Sequence, residues 1–308
     1  MKPFVVIAEF MDENAVETLR DECSVVYDKT LAENRDKLLQ LLPDCDALIV
    51  RNKTQVRGEL LAAAGKLKVV GRLGVGLDNI DLRACSERSI VVIPAVGANT
   101  VSVAEYVMAG LLMLARGCYQ KCSEVAAGLW PRERMMGGEI FGKTLGLLGF
   151  GGIARAVAVR AHAFDMNVVS YDPYISPEND IWQQYGVAPV SMEDMLARAD
   201  AVSLHVPLTD QTRNLFDAET IGAMKQGAFL INSSRGGIVD ETALAEALRS
   251  GQLGGAMIDV FAQEPLPANS PLSNAPNCLL TPHIAGVTGE SNTRVSSLIA
   301  EKVAAALR

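Results

Sequence analysis

Short apolar, β-branched runs alternate with amphipathic stretches of helical length from one end of the chain to the other. A first set of candidate strands comprises Phe4–Ala8, Ala47–Arg51, Lys68–Arg72 and Ile90–Ile93. A second set comprises Leu145–Gly149, Asn167–Tyr171, Ala201–His205, Ala228–Asn232, Gly255–Asp259 and Cys278–Thr281. Strands spaced by helices in this rhythm make βαβ units and a parallel, doubly wound sheet. Between the two sets, Asn99–Tyr119 reads as one unbroken helix that begins at a cap on Asn99 or Thr100, a natural bridge between two lobes. A second long helical pattern, Glu290–Leu307, closes the chain, and no solenoid-type repeat is visible.

Length agrees with this division: 308 residues at about 150 per domain make two domains. Lys plus Arg number 28 and Asp plus Glu 36, a net charge of −8 that suits neither nucleic acid nor an anionic membrane surface. With 49% hydrophobic residues and no low-complexity tract, disorder is excluded. The apolar run Phe4–Ala8 stops at Glu9, too short for a signal-peptide core, and Val103–Ala115 carries Glu105 and falls short of a membrane span. The six cysteines, Cys23, Cys45, Cys85, Cys118, Cys122 and Cys278, read as reduced thiols of a cytoplasmic protein. Cys118 and Cys122 are spaced to share a helix face, but no histidine lies near them to complete a metal set, so no metal site is expected.

The strand Leu145–Gly149 runs into Gly149-Phe-Gly151-Gly152-Ile153-Ala154 and then a helix. In such a Gly-x-Gly-x-x-Ala turn the first glycine permits the bend and the second admits a pyrophosphate. The third small residue lets helix pack on strand, and the phosphate rests on the helix N-terminus. The next strand ends at Asp172, 18 residues after Ala154, where a carboxylate meets the adenosine ribose hydroxyls. Pro173 and Tyr174 follow, with no arginine for a 2′-phosphate, so the expected cofactor is NAD and not NADP.

Three later segments end strands with polar residues: Asn232-Ser-Ser-Arg235-Gly, Asp259-Val-Phe-Ala-Gln-Glu264-Pro and Thr281-Pro-His283. Ligands of open α/β sheets bind at the carboxyl ends of strands, so these segments should converge. An arginine fork suits the carboxylate and carbonyl of a 2-keto acid, and histidine suits the proton transfer that accompanies hydride transfer. A carboxylate beside that histidine orients it. Of the other histidines, His162 lies mid-helix with no motif around it and reads as structural.

Together with Gly71-Arg-Leu-Gly-Val-Gly-Leu-Asp-Asn79 and Asn99-Thr-Val-Ser-Val-Ala-Glu105, these motifs resemble the D-isomer-specific 2-hydroxyacid dehydrogenase family over nearly the whole chain. The resemblance implies a catalytic Arg235, Glu264 and His283. It implies a cofactor set of Gly149, Gly151, Gly152, Ile153, Asp172, Val206, Ser233, Ser234, Arg235, Asp259 and His283, with His205 close by. It further implies two doubly wound parallel-sheet domains, a Rossmann nucleotide domain (98–285) inserted in a flavodoxin-like substrate domain (1–97 and 286–308). Hydride transfer would take place in the cleft between them, and the assembly would be a homodimer.

For the substrate, the glycine-rich Arg72-Leu-Gly74-Val75-Gly76 offers an amide nest for a carboxylate. Arg51, Lys53 and Arg72 gather at comparable strand ends, and Arg132 and Arg134 follow Trp130. Family members acting on phosphoglycerate resemble the chain at Arg51, Arg72 and Trp130–Gly137, which points to a 2-hydroxy acid with an anionic C3 group. Glu9–Glu13, Gly149–Arg155 and His283–Asn292 resemble instead the bacterial sulfolactate dehydrogenases, so 3-sulfolactate stands beside 3-phosphoglycerate. Hydroxypyruvate or glycerate is the further alternative. The chain ends at Arg308 without the serine-sensing extension of many phosphoglycerate dehydrogenases, so serine inhibition is not expected. A different class, an NAD-sensing corepressor-like binding protein, shares this scaffold and is separated from an enzyme by turnover of small keto acids.

Overall fold

The computed structural model describes residues 2–117 and 122–308. Two compact units divide the chain, one formed by Met1–Asn99 with Val287–Arg308 and the other by Thr100–Gly286.

The first unit opens with β1 (Phe4–Ile7), α1 (Glu13–Glu22), β2 (Ser24–Tyr27), α2 (Arg35–Leu41) and β3 (Ala47–Val50). It continues through α3 (Gly58–Ala63), β4 (Val69–Arg72), α4 (Leu82–Glu87) and β5 (Val91–Pro94). Its strands pair in parallel in the order β2-β1-β3-β4-β5. Both faces of this sheet are covered, so its central strands are continuous apolar runs and not alternating ones. Val5, Ile7, Ile49 and Val69 pack on one side with Leu19 of α1, whereas Val6, Leu48, Val50 and Val70 pack on the other with Leu38 and Leu60. Each such buried side chain contributes about 1.5–3 kcal/mol.

The second unit runs α5 (Thr100–Arg116), α6 (Cys122–Ala126), β6 (Thr144–Leu148), α7 (Gly152–Ala163), β7 (Asn167–Tyr171), α8 (Ile181–Tyr185) and β8 (Ala188–Pro189). There follow α9 (Met192–Arg198), β9 (Ala201–Leu204), α10 (Ala218–Gly222), β10 (Ala228–Asn232), α11 (Glu241–Ser250), β11 (Leu253–Ile258) and β12 (Cys278–Leu280). Its seven strands are ordered β12-β11-β10-β9-β6-β7-β8, all parallel. The order reverses between β6 and β9, which is where doubly wound sheets open a crevice. Val107 and Leu111 of α5 and Val157 and Ala158 of α7 pack on Leu145 and Leu147, while Leu244 and Leu248 of α11 join Val202 and Leu230 on the opposite face.

The last helix, α12 (Gly289–Leu307), returns to the first unit, capped by Thr288 in a reciprocal box with Ser291. It lies so close to β4 that a Cβ on Gly71 would stand 2.9 Å from both Ile299 and Val303.

The two strand sets lie where the apolar runs predict, and the fold is the expected α/β class with two parallel sheets. Two strands escape the pattern, β2 and β8. Several edges shift: β5 begins at Val91 and ends at Pro94, β11 begins at Leu253, and Arg51, His205 and Asp259 each stand just beyond a strand end. Helix α5 stops at Arg116, with Gly117 following at φ 56°. Cys118 and Tyr119 lie outside the described residues, and Cys122 opens a separate helix. The expected cap at Asn99 does not form, since its Oδ1 is buried with no hydrogen-bond partner. None of the described helices is long and apolar enough to cross a membrane, and no described group of His, Cys, Asp and Glu is arranged to hold a metal.

Candidate active site

Three adjacent strands, β10, β11 and β12, deliver three loops to one end of the second unit's sheet. Asp259, wholly buried just past β11, organises them. Its Oδ1 accepts hydrogen bonds from Thr281 Oγ1 (2.7 Å) and Ile284 N (2.8 Å), and its Oδ2 accepts from Ala285 N (2.7 Å). Its carbonyl accepts from His283 N at 2.8 Å. Between these bonds His283 takes a left-handed backbone conformation, φ 56°. A non-glycine residue pays strain there, and such conformations persist where surrounding bonds over-determine them. Tyr106 of α5 adds its hydroxyl to Thr281 Oγ1. Burial and the nearby Asp259 charge push that phenol above its ordinary range.

His283 Nδ1 lies 2.8 Å from Glu264 Oε2, with both side chains part-exposed. Glu264 is held in turn by Phe261 N, which donates to Oε1 at 3.1 Å. The pair occupies His283 Nδ1 and leaves Nε2 as the ring's other nitrogen. Arg235 follows β10, where Asn232 shapes the turn: Nδ2 donates to Arg235 O at 3.0 Å, and Oδ1 accepts from Ser234 N and Oγ at 3.1 and 2.8 Å. Gly236 lets this turn approach the loop after β11, because a Cβ there would lie 1.7 Å from Phe261 O. Arg235 Nη1 donates to Ser234 O at 2.6 Å.

At the sheet's reversal point the glycine turn takes its expected form. Gly149 has φ 84°, and a Cβ on it would lie 2.8 Å from His205 O and 2.9 Å from Val206 Cγ1. Gly151 caps α7 without a side-chain bond, and the space where a Cβ would stand on Gly151 or Gly152 is open. Helix N-terminal amides facing open space suit an anion. Ile153 follows, half-buried, on the first turn. Asp172 sits at the end of β7 with Oδ2 accepting from Phe150 N (2.8 Å) and Oδ1 from Tyr174 N (2.9 Å), so strand end and glycine turn are tied together. Each oxygen keeps a lone pair for a ribose hydroxyl. At the same edge of the sheet, His205 Nε2 just past β9 and Ser233 Oγ just past β10 are buried without partners. Burial pushes His205 down to about 4, a neutral imidazole. Open cradle, anchored carboxylate and orphaned polar atoms together fit a dinucleotide. By contrast His162, the histidine expected to be structural, has Nε2 3.0 Å from Tyr185 O.

Of the predicted substrate cations, Arg51, Lys53 and Arg72 belong to the first unit. Arg51 Nη2 donates to Asn292 Oδ1 of α12 at 2.7 Å, and its guanidinium lies 6.0 Å from the Phe10 ring centroid. Desolvation lowers its pKa, and the nearby Glu9 opposes that shift. Arg72 Nη1 donates to Leu73 O at 2.9 Å, over the place where a Gly74 side chain would stand. In the expected amide nest, Leu73 N and Gly74 N already donate to Val50 O and Arg72 O, which leaves Val75 and Gly76 as its candidate donors. Lys53 instead pairs with Glu33 at 2.8 Å on the surface. Arg134 likewise pairs with Glu124 at 2.9 Å, beside a Trp130 that is 80% exposed. Sequence reasoning assigned no role to Glu9, Asn79 or Asn292. The available signal for Glu9 was a carboxylate ending the most apolar N-terminal run.

The family profile described as "D-isomer specific 2-hydroxyacid dehydrogenase, NAD binding domain" matches residues 108–285. The chain is 54% identical to (S)-sulfolactate dehydrogenase of Chromohalobacter salexigens over 98% of both chains. It is 42% identical to D-3-phosphoglycerate dehydrogenase of Mycobacterium leprae over 99% of this chain, which spans 57% of that relative's length. Among solved structures, TT0316 protein from Thermus thermophilus aligns with a TM-score of 0.88 at 36% identity, covering 99% of this chain and 96% of that one.

Proposed function

The chain belongs to the D-isomer-specific 2-hydroxyacid dehydrogenase family and is an NAD-dependent 2-hydroxyacid dehydrogenase, and we propose that its substrate carries an anionic group on C3, as 3-sulfolactate and 3-phosphoglycerate do. The observation that carries the catalytic part is the His283–Glu264 pair at 2.8 Å, at the carboxyl edge of the sheet that also holds Arg235 and the glycine cradle. In reduction His283 Nε2 gives a proton to the substrate's carbonyl oxygen, and in oxidation it removes one from the hydroxyl. Glu264, bonded to Nδ1, holds the ring in orientation. Arg235 engages the substrate carboxylate and polarises the carbonyl with its planar fork. Gly149, Gly151, Gly152 and Ile153 would cradle the cofactor's pyrophosphate and Asp172 its ribose, with Val206, Ser233, Ser234 and Asp259 toward the nicotinamide end. Bound there, NAD(H) supplies or accepts the hydride.

Recognition of the substrate's charges is assigned to Arg51, Arg72 and the Val75–Gly76 amides. The identity with a sulfolactate dehydrogenase over the whole length supports this, as does the part-buried setting of Arg51. Cytoplasmic residence and a homodimer are part of the same proposal, and exposed Leu129, Trp130 and Met136 offer apolar surface for a second copy. The direct test of the chemistry is His283→Ala. Its kcat should fall by roughly 10²–10⁴-fold while NADH, followed by fluorescence titration, still binds. An active variant across the pH range would remove His283 from its role.

A further inference from the structure

Strands β1 and β3 lie side by side where the smaller sheet's order reverses, the place at which such sheets admit ligands. In this protein the chain's own Glu9, buried two residues past β1, fills that position. Its Oε1 accepts from Arg51 N (2.8 Å) and Thr54 N (3.0 Å), and its Oε2 from Asn52 N (3.2 Å) and Lys53 N (3.0 Å). Four consecutive amides around one carboxylate form the kind of concavity that elsewhere binds free anions. The buried Asn79 completes the hold from the other side, its Nδ2 donating to Arg51 O (3.2 Å) and Thr54 O (2.7 Å). The turn is thus fixed at both its donors and its acceptors.

Of the two cations on this turn, Lys53 leads to Glu33 at the surface. Arg51 leads to Asn292 and Phe10, and Asn292 takes one of the five N–H donors a guanidinium offers. We propose that Glu9 is a positioning residue for substrate recognition: by gathering the Arg51–Thr54 amides it sets the Arg51 guanidinium, which Asn292 then aims at the substrate's C3 anion. This rests on the assignment of Arg51 to that anion. Glu9→Gln keeps the shape but turns an NH2 group toward backbone N–H donors, so the turn must open and Arg51 loses its aim.

The test is a double-mutant cycle on E9Q and R51Q. KM and kcat are measured with NADH for sulfopyruvate, which has a C3 sulfonate, and for pyruvate, which has no C3 charge. Each single variant should raise the sulfopyruvate KM by about tenfold or more, the worth of a charged hydrogen bond, with the pyruvate constants and kcat changed far less. The double variant should match R51Q, and E9D should recover part of the loss. Equal losses on both substrates, or an E9Q effect that multiplies that of R51Q, would reduce Glu9 to a structural role while leaving Arg51 its own. An unchanged sulfopyruvate KM in R51Q would overturn both the inference and the substrate assignment beneath it. Should E9Q fail to fold, N292A takes its place: it must raise the sulfopyruvate KM alone, and only when Arg51 is present, or the inference falls.

Discussion

Asp259 and His205 stand at the same end of the larger sheet, both buried but differently partnered. Asp259 is satisfied by three donors, and its bonds hold His283 in a conformation that a non-glycine residue would otherwise leave. His205 has no partner at Nε2, and burial moves it from 6.5 to about 4. Because the unfolded chain binds the proton more readily, stability from this group is complete above pH 6.5 and is lost as pH falls toward about 4, a change of about 3 kcal/mol. Urea unfolding between pH 7 and 4.5 should therefore show a shallower acid decline in His205→Asn than in the parent, and parallel curves would contradict this. At this scale the placement of Arg235, Glu264, His283 and Asp172 in the loops after strand ends was legible because each sits inside a short local motif. Glu9 and Asn79 were not, since their partners lie 42–45 and 25–28 residues away. Nor does a sequence tell that Lys53 and Arg134 end in surface pairs, which contribute little to stability.

Elements in this fold serve mainly to bring loops to one edge in fixed relation. The turn after β10 touches the loop after β11 only because Gly236 has no side chain. Gly236→Ala must push Phe261 O away from 1.7 Å, and with it both Arg235 and the Phe261 amide that holds Glu264. The variant should lose most of its kcat/KM and at least about 1 kcal/mol of stability by overpacking. Steady-state kinetics and thermal melting check this, and wild-type values in both would show the approach to be dispensable. The central strands were readable as apolar runs, because both faces of each sheet are covered. Strands β2 and β8 were not, being edge elements: β2 is only part-buried, and β8 is two residues long and ends in Pro189, which cannot donate to a ladder. The reach of α5 was overestimated because apolar periodicity continues past Gly117, where the backbone turns left-handed.

Across the whole chain, a net charge of −8 coexists with arginines set in polar niches, so charge excludes a polyanionic partner without excluding a small anionic substrate. Both sheets reverse their strand order once, and each reversal point carries a carboxylate or a glycine turn: Glu9 in the smaller sheet, Gly149 in the larger. The division into two units came from the interrupted strand rhythm, and the return of α12 to the first unit came only with the family resemblance. What no pattern in the chain specifies is which second anion the proposed substrate carries, since sulfonate and phosphate ask for the same donors. The assignment of an anionic C3 group is tested most directly by one ranking: kcat/KM with NADH for sulfopyruvate, phosphohydroxypyruvate, hydroxypyruvate, pyruvate and oxaloacetate. An acid with a sulfonate or phosphate on its C3 arm should rank first, well ahead of pyruvate. Pyruvate in first place, or NADH binding without turnover of any member, would contradict it.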